Sequence, residues 1–353
     1  MPPIPPTSPP LPRLIMYYQT HHTPAAQGGT HISILPLIMQ PGIHLTHLIL
    51  AAIHINEDPS ALTLNDHHPS HPRFDTLWAE LRILQASGVK VLGMLGGAAK
   101  GSYTRLDASQ ERFERYYAPL ASLVRERGLD GLDLDVEEEM SLPGIIRLVD
   151  RLRADFGEDF IITLAPVAAA LVSPRHNLSG FDYAALERER GREIAWYNAQ
   201  FYCGWGDCSN PAMYEMILLR GWRKDKIVVG LVTSPENGSG WVPWEVFGSV
   251  VPLMRGKGEG FGGVMGWEYF NGLPGGREKP WEWARGMTGL LRGQVGEGTK
   301  WDESGSGSGS GGIALLAHAK EKGSKPVDED EGEDEGKPIP VPRDFDYYSD
   351  AKE

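Results

Sequence analysis

The sequence has few cysteines and no long apolar run. Its two cysteines, Cys203 and Cys208, lie close together in one predicted loop. We expect free thiols in a reducing compartment, and a small local disulfide is the alternative. The pair lacks the further ligands that a zinc site needs. No stretch approaches the roughly 18 apolar residues of a transmembrane helix, so we expect no membrane association.

A secretory signal and an excess of positive charge are also missing. Residues 1–12 form a proline-rich arm, which has neither the basic region nor the continuous apolar region of a signal peptide. We therefore expect a cytoplasmic protein, with export by another route left open. The net charge is −13, which argues against nucleic-acid binding. Nothing in the sequence requires a partner chain, and we expect a monomer.

The most informative stretch is LDGLDLDVEEEM at residues 129–140. Its alternation predicts a strand with Asp133, Asp135 and Glu137 on one face and aliphatic side chains on the other. Three carboxylates in a row are costly to bury without a purpose. A closed parallel barrel accommodates them, because its active site lies at the carboxyl ends of the strands. An exposed acidic edge strand is the alternative.

The spacing of these carboxylates has a chemical consequence. Glu137 would lie at the barrel rim, with Asp135 and Asp133 each about 6.5–7 Å deeper. Like charges this close cannot all ionise freely, so at least one pKa should be raised. Glycosidases protonate a leaving oxygen with a carboxylic acid of raised pKa beside an ionised partner.

The rest of the chain alternates between strands and helices. Strands are predicted at 14–19, 46–56, 89–95, the acidic stretch, 160–166, 194–202, 227–232 and 262–267. Helices are predicted near 74–88, 109–127, 143–155, 211–221, 243–255 and 280–292. This repetition predicts an α/β fold of the (β/α)₈ barrel type.

Residues 299–353 differ in composition from the rest. They contain a flexible SGSGSGSGG linker at 304–312 and the acidic run DEDEGEDE at 328–335. Such segments cannot form a core, and they predict a disordered tail. The FDYYSD segment at 345–350 could instead dock onto another surface.

The acidic stretch carries a resemblance to a known family. Residues 130–137, DGLDLDVE, match the DGxDxDxE motif of family 18 glycoside hydrolases. Much of residues 13–292 also resembles the fungal endo-β-N-acetylglucosaminidases of that family. The resembling runs are LIMYYQTHH (14–22), LGGAAKGSY (95–103), ITLAPVAAAL (162–171), WYNAQFY (196–202) and GGVMGWEYFNGLPGG (262–276). The resemblance implies a catalytic domain at 13–298.

The resemblance also implies a mechanism and roles. The family hydrolyses GlcNAc-β1,4 bonds with retention, using the substrate's own acetamide as nucleophile and no cofactor. Glu137 aligns with the general acid/base and Asp135 with the carboxylate that orients the acetamide. Asp133 is their deeper partner, able to share a proton with Asp135. Tyr202 aligns with the tyrosine whose hydroxyl holds the acetamide.

Further side chains are expected to contact the sugar. Trp267 aligns with the tryptophan floor, and Gln200 and Asn198 share the face of Tyr202. Gly96 and Gly97 would let substrate and backbone approach closely. Tyr17 either packs in the barrel or forms a wall of the sugar site. The loop tryptophans that could stack sugars or simply pack are Trp205, Trp241 and Trp244.

A histidine-rich loop follows the second predicted strand. Asp66, His67, His68 and His71 could suggest a metal site, but a polar loop is the simpler interpretation. The implied chemistry requires no metal. The adjacent residues Glu138 and Glu139 either raise the Glu137 pKa slightly or are solvated.

Three functions remain open from the sequence. The leading hypothesis is an endo-β-N-acetylglucosaminidase that cuts the chitobiose core of N-glycans. A chitinase acting on GlcNAc-containing oligosaccharides would use the same acids. A non-catalytic glycan-binding barrel is the third possibility, although Glu137 is present. Only about 30 residues separate the last two strands, so the large α+β insertion of many family chitinases is not expected, and the groove should be open.

Overall fold

The computed structural model describes residues 11–256 and 260–293. Most of the proline-rich arm and the whole predicted tail at 299–353 lie outside the described residues. Within them, no helix combines the length and the apolar character needed to cross a membrane.

A closed barrel of eight parallel strands forms the centre of the molecule. Its strands are β1 (Arg13–Tyr18), β2 (His47–His54), β4 (Lys90–Gly96), β5 (Gly131–Asp135), β6 (Ile161–Leu164), β7 (Trp196–Gln200), β8 (Ile227–Val232) and β9 (Gly263–Trp267). The first strand closes the ring because it pairs with both β2 and β9. The predicted (β/α)₈ barrel is therefore confirmed.

Helices surround the barrel. They are α1 (Pro36–Met39), α2 (Asp75–Ala86), α3 (Ser102–Leu106), α4 (Gln110–Arg127), α5 (Leu142–Phe156), α6 (Ala168–Val172), α7 (Tyr183–Arg190), α8 (Ala212–Leu219), α9 (Trp244–Arg255) and α10 (Trp281–Arg292). Among the described residues, the six predicted helices are joined by four short ones that were not predicted, α1, α3, α6 and α7. Local signals set several ends. Ser141 accepts a hydrogen bond from the Gly144 amide at the start of α5, and Gly128 ends α4 in the left-handed conformation.

Two features of the strands differ from the prediction. The predicted strand at 194–202 is observed only over Trp196–Gln200, so Tyr202 lies in the loop beyond β7. The histidine-rich loop contains a short strand, β3 (Thr63–Leu64), which pairs antiparallel with the end of β2. In both places, the end of the strand is set by which backbone groups pair with a neighbouring segment. The side-chain pattern of the sequence does not reveal that pairing.

Alternation along the strands creates two cores. On β1, Ile15 and Tyr17 belong to an inner core within the barrel, whereas Leu14, Met16 and Tyr18 pack outward against the helices. This is the two-residue period of a strand that is buried on both faces. Each fully buried aliphatic or aromatic side chain contributes about 1.5–3 kcal/mol.

The amino-terminal end of the barrel is closed by packing. The Arg13 guanidinium lies 4.4 Å from the centre of the Trp196 ring and donates to the carbonyl of Asp225. Burial lowers the pKa of Arg13 to about 10. His47 packs its ring against the same tryptophan. Access for a substrate therefore lies at the opposite, carboxyl-terminal end.

The connection from β8 to β9 is short. Its described residues form a 3₁₀ turn at Pro235–Asn237 and then α9, with no additional sheet. The expected absence of room for an α+β insertion follows directly from this length. The rim of the barrel is instead built from loops that belong to the basic strand–helix repeat.

Candidate active site

Strand β5 carries the acidic side chains into the barrel. Asp133 is fully buried and Asp135 is 6% exposed. The strand ends at Asp135, so Glu137 lies just beyond it, half-buried at the rim. Below the carboxyl-terminal opening of the barrel, the structure thus places Glu137 nearest to solvent, Asp135 deeper and Asp133 deepest.

Asp133 is held by three neutral donors from three other strands. The Tyr17 hydroxyl donates to Oδ2 at 2.6 Å, and the Thr163 hydroxyl donates to Oδ1 at 2.6 Å. The side-chain amide of Asn198 donates to the same Oδ1 at 3.0 Å. Burial raises the pKa of Asp133, and these three hydrogen bonds oppose that rise. Such full satisfaction is what a buried carboxylate requires.

Gln200 links the two upper carboxylates. Its amide nitrogen lies 3.2 Å from Asp135 Oδ1, 3.2 Å from Glu137 Oε1 and 3.0 Å from the carbonyl oxygen of Ala165. An amide group has two N–H donors for these three acceptors. Consequently, the two carboxylates compete for Gln200, and a proton or a substrate N–H must satisfy the remainder.

The electrostatics of this pair match the expectation from their spacing. Burial raises the pKa of Asp135 well above its ordinary value, and the charges of Glu137 and Asp133 raise it further. Burial also raises the pKa of Glu137, while Gln200 and the Lys100 ammonium oppose the rise. The pair therefore keeps a proton to higher pH than two isolated carboxylates would.

Aromatic side chains line the space beside these acids. Tyr202 is 8% exposed, and its pKa is raised by burial and then by the nearby charges of Asp135 and Glu137. Within the described chain its hydroxyl has no hydrogen-bond partner, although it can both donate and accept. Trp267 ends β9 half-buried, with its ring edge-to-face with Tyr17 at 5.5 Å. Trp241 packs against this same inner cluster.

Two predicted sugar contacts have a different position. Tyr17 is 1% exposed and Asn198 is fully buried, and both donate to Asp133. Their polar groups are thus already engaged below the site. Tyr17 packs inside the barrel and Asn198 is hydrogen-bonded to Asp133, and contact of either side chain with the sugar stays a prediction.

The two glycines at the end of β4, Gly96 and Gly97, have separate reasons to be glycine. A Cβ on Gly96 would lie 2.4 Å from the Tyr103 ring and 2.5 Å from the backbone oxygen of Asp135. Close packing between strands therefore explains Gly96. A Cβ on Gly97 would lie 3.6 Å from Asp135 Oδ2, so Gly97 faces the carboxylate. Both have a positive φ, which favours glycine.

Glu138 departs from both alternatives offered by the sequence. It is 8% exposed and turns away from Glu137. Its carboxylate accepts hydrogen bonds from the amides of Gly101 and Tyr103 and from the Thr104 hydroxyl. Glu138 thus joins the loop after β5 to the start of α3. Glu139, in contrast, is exposed.

Glu268 is a site-forming residue that sequence reasoning missed. It follows Trp267, is 6% exposed, and accepts hydrogen bonds from the amides of Gln19 and Thr20 and from the Thr20 hydroxyl. The ends of β1 and β9 are thereby tied together beside the tryptophan. Its position directly after an aromatic strand end was the available signal.

The other candidate residues lie outside this cluster. Trp244 begins α9 and packs on Trp283 with 6.3 Å between ring centres, and Trp205 packs against the outer core. His67 and His71 place their rings 4.7 Å apart on the surface. Across residues 11–256 and 260–293, no three His, Cys, Asp or Glu side chains form a metal-binding group. Cys203 is exposed and Cys208 is buried, both as free thiols.

Comparison with solved structures identifies many similar barrels, among them an endo-β-N-acetylglucosaminidase and a chitinase. A fungal endo-β-N-acetylglucosaminidase from glycosyl hydrolase family 18 is 48% identical, with a TM-score of 0.77, over 81% of this chain and 100% of the other. The chitinase ChiC from Aspergillus fumigatus is 56% identical, with a TM-score of 0.72, over 78% of this chain and 98% of the other.

Curated sequences and a family model agree with these structures. Chitinase 2 from Rhizopus oligosporus is 29% identical over 208 residues, which is 54% of this chain and 36% of that protein. The chain thus matches only about a third of the length of that relative. The model of the glycosyl hydrolases family 18 matches residues 13–234. Because the family model matches more than half of the chain and Asp133, Asp135 and Glu137 lie in one row on β5 and just beyond it, the chain belongs to glycosyl hydrolase family 18.

Proposed function

We propose that this hydrolase cleaves the β1,4 bond between the two GlcNAc residues of the N-glycan chitobiose core. The observation that carries the proposal is the ladder of Asp133, Asp135 and Glu137, whose upper members share Gln200 beneath a rim of Tyr202 and Trp267. This arrangement supplies one protonated carboxyl group, one orienting carboxylate and a free hydroxyl in a partly water-excluded space.

Glu137 is the general acid in this proposal. It is the highest of the three acids and only half-buried, so a glycosidic oxygen can approach it from the opening. Its raised pKa keeps a proton available for the leaving oxygen. As the bond from the anomeric carbon to that oxygen breaks, the oxygen takes the proton from Glu137.

The nucleophile is the carbonyl oxygen of the substrate's 2-acetamido group. It forms a bond to the anomeric carbon and gives an oxazolinium intermediate, so the enzyme needs no nucleophilic carboxylate of its own. Asp135 accepts a hydrogen bond from the acetamide N–H, and the Tyr202 hydroxyl donates to the acetamide oxygen. Proximity within one sugar ring supplies part of the rate enhancement.

Water completes the cycle. It attacks the anomeric carbon of the intermediate, and the bond from that carbon to the acetamide oxygen breaks, which regenerates the 2-acetamido group. The ionised Glu137 accepts a proton from the attacking water, which restores the acid for the next turnover. Two displacements at the same carbon retain its configuration. Trp267 provides the apolar surface on which the C–H face of the sugar rests, a role suited to its half-buried ring at the end of β9.

The choice of N-glycan rests on similarity to the solved endo-β-N-acetylglucosaminidase over its whole chain. The missing insertion does not discriminate between the two functions. The match to ChiC covers 98% of that chitinase and 78% of this chain, which leaves no room for an additional domain there either. Chitin hydrolysis is accordingly the second candidate, favoured by the 56% identity to that chitinase.

A paired digestion tests the proposal. The purified chain is incubated with a high-mannose glycoprotein and, separately, with chitohexaose, and the products are identified by mass. One GlcNAc left at each glycosylation site, with chitohexaose intact, is the expected result. Cleaved chitohexaose with untouched glycoprotein would instead establish a chitinase. Glycan binding without either product would favour the non-catalytic barrel, and the Glu137→Gln variant is the inactive control for both substrates.

A further inference from the structure

A surface cleft lies at the rim of the barrel, beside the row of carboxylates formed by Asp133, Asp135 and Glu137. It has a volume of about 590 Å³ and is lined by Glu57, Lys100, Arg105, Arg112, Tyr116 and Glu139, among others. We call it the rim cleft. Its volume falls within the range of about 300–1,000 Å³ that is usual for ligand sites.

The rim cleft adjoins the catalytic acid. Glu139 follows Glu137 by two positions, and Lys100 lies in the loop that leaves β4. The Lys100 ammonium is near enough to influence the pKa of Glu137. Glu57 lies shortly after the end of β2. The loops after three neighbouring strands therefore place this cleft at the same end of the barrel as the proposed sugar site.

Glu138 lines the rim cleft and is held by the loop before α3, but several other charged groups of the cleft have no charged partner in the described chain. In the described part of the molecule, Lys100, Arg112, Glu57 and Glu139 form no ion pair. Arg105 donates from Nη1 to the backbone oxygen of Ile55 at 3.2 Å. Tyr116 is 7% exposed, and its hydroxyl donates to the backbone oxygen of Glu57, which fixes one wall.

A second surface cavity of about 620 Å³ provides a comparison within the same molecule. It lies between α4 and α5, and three of its charged side chains, Glu114, Asp150 and Arg151, form ion pairs. Arg151 binds Glu114 at 2.7 Å, and Asp150 binds Arg190 at 2.6 Å. Those three side chains are thus already engaged within the protein. In the described part of the chain, the rim cleft differs because most of its charged side chains form no ion pair and can contact a ligand, whereas Glu138 and Tyr116 are engaged within the protein.

The mixture of signs in the rim cleft selects the kind of ligand. An anion would meet the carboxylates of Glu57 and Glu139, and a cation would meet Lys100, Arg105 and Arg112. A neutral sugar carries hydroxyl groups that both donate and accept, so it can use guanidinium donors and carboxylate acceptors together. A hexose with several hydroxyl groups therefore fits this lining better than a charged ligand.

Resting on the proposed function, we infer that the rim cleft binds a neutral hexose arm of the branched N-glycan whose GlcNAc pair lies at Glu137. Arg112 and Arg105 donate to the hydroxyl groups of that arm, and Glu57 and Glu139 accept from them. A linear GlcNAc chain has no such branch. The rim cleft would thus be a determinant of substrate preference.

Direct binding tests this inference without relying on hydrolysis. Branched α1,3/α1,6-mannotriose, which has no GlcNAc–GlcNAc bond, is titrated into the full chain and followed by NMR. The wild-type chain should bind it, and Arg112→Ala should weaken binding by on the order of tenfold through loss of a charged donor. Arg115→Ala is the matched control, because Arg115 is exposed on the same helix, α4, and is not part of the rim cleft lining.

Kinetics provide a second measurement on the same variants. Arg112→Ala should raise KM for a high-mannose substrate relative to a core trisaccharide without branches, whereas Arg115→Ala should leave the ratio of the two KM values unchanged. Equal mannotriose binding by Arg112→Ala and Arg115→Ala, or no binding by the wild type, would overturn the inference. Cleavage of glycoprotein alongside that result would retain the proposed function and reject only the rim cleft.

Discussion

The Tyr17→Phe substitution separates the two roles considered for Tyr17. The hydroxyl donates to Asp133 Oδ2 at 2.6 Å, whereas the ring packs edge-to-face on Trp267. Phenylalanine keeps the ring and removes only the hydroxyl. If Tyr17 supports the acids from below, the substitution should reduce kcat and stability with little change in KM. A wall of the sugar site would show the loss mainly in KM.

The expected magnitude follows from the remaining contacts of Asp133. Thr163 and Asn198 still donate to Oδ1, so Oδ2 loses its one protein donor. A hydrogen bond to a charged group contributes about 1.5–3 kcal/mol net, and a neutral one about 1 kcal/mol. Because burial raises the pKa of Asp133, we expect a loss of about 1–2 kcal/mol at neutral pH and a smaller one at pH 4. If the catalytic barrier rises by about 1.4 kcal/mol, kcat falls about tenfold.

The assay measures urea unfolding and steady-state kinetics for Tyr17→Phe and for a control variant, Tyr18→Phe. Tyr18→Phe is the matched control, because Tyr18 is also fully buried, but its hydroxyl donates to the backbone oxygen of Ile32 at 2.5 Å. It should lose stability and keep kcat. Equal kcat for Tyr17→Phe and the wild type, or a loss confined to KM, would refute the supporting role of Tyr17.

Three further outcomes are expected. Glu137→Gln should reduce kcat by about 10²–10⁴-fold while glycan binding persists; unchanged turnover would remove Glu137 from its assigned role. The pH profile should have its optimum below neutrality and lose activity on the alkaline side, since Glu137 must start protonated and its pKa lies above the ordinary 4.5; a flat profile from pH 5 to 9 contradicts this. Asp135→Asn should raise the melting temperature of the inactive protein more at pH 8 than at pH 3.5. The pKa of Asp135 in the folded protein is raised above 3.8. The contribution of Asp135 to wild-type stability is therefore fully present below pH 3.8 and is lost as pH rises through the folded-state pKa. An equal gain in melting temperature at both pH values would contradict this prediction.

The barrel could be predicted because its signals are local. Continuous apolar runs such as the one at His47–His54 indicate strands buried on both faces, and Gly128 marks a helix end. The alternation on β5 also revealed the order of the three acids. Each of these signals requires only neighbouring residues, which is why they survive without knowledge of the tertiary structure.

The contacts that support the acids could not be predicted in the same way. Asn198 and Asp133 are 65 positions apart, and Glu138 contacts Tyr103 from 35 positions away. The sequence showed that Asn198 shares a face with Gln200 but not the depth of either side chain. How deep a side chain lies in the barrel depends on how the neighbouring strands are staggered. Asn198 therefore lies at the level of Asp133, whereas Gln200 lies at the level of Asp135 and Glu137.

The neutrality of these supporting groups has a chemical reason. Tyr17, Thr163 and Asn198 satisfy Asp133 without introducing a positive charge, and Gln200 does the same for Asp135 and Glu137. An arginine or lysine at any of these positions would stabilise the carboxylates more strongly, but it would lower their pKa and remove the proton on which the proposed mechanism depends. In the described structure, the positive charge that acts on Glu137 comes from Lys100 on the rim, where solvent screens it. The buried carboxyl groups thus lower the free energy of unfolding, and this cost keeps one of them protonated. The neutral hydrogen bonds reduce that cost.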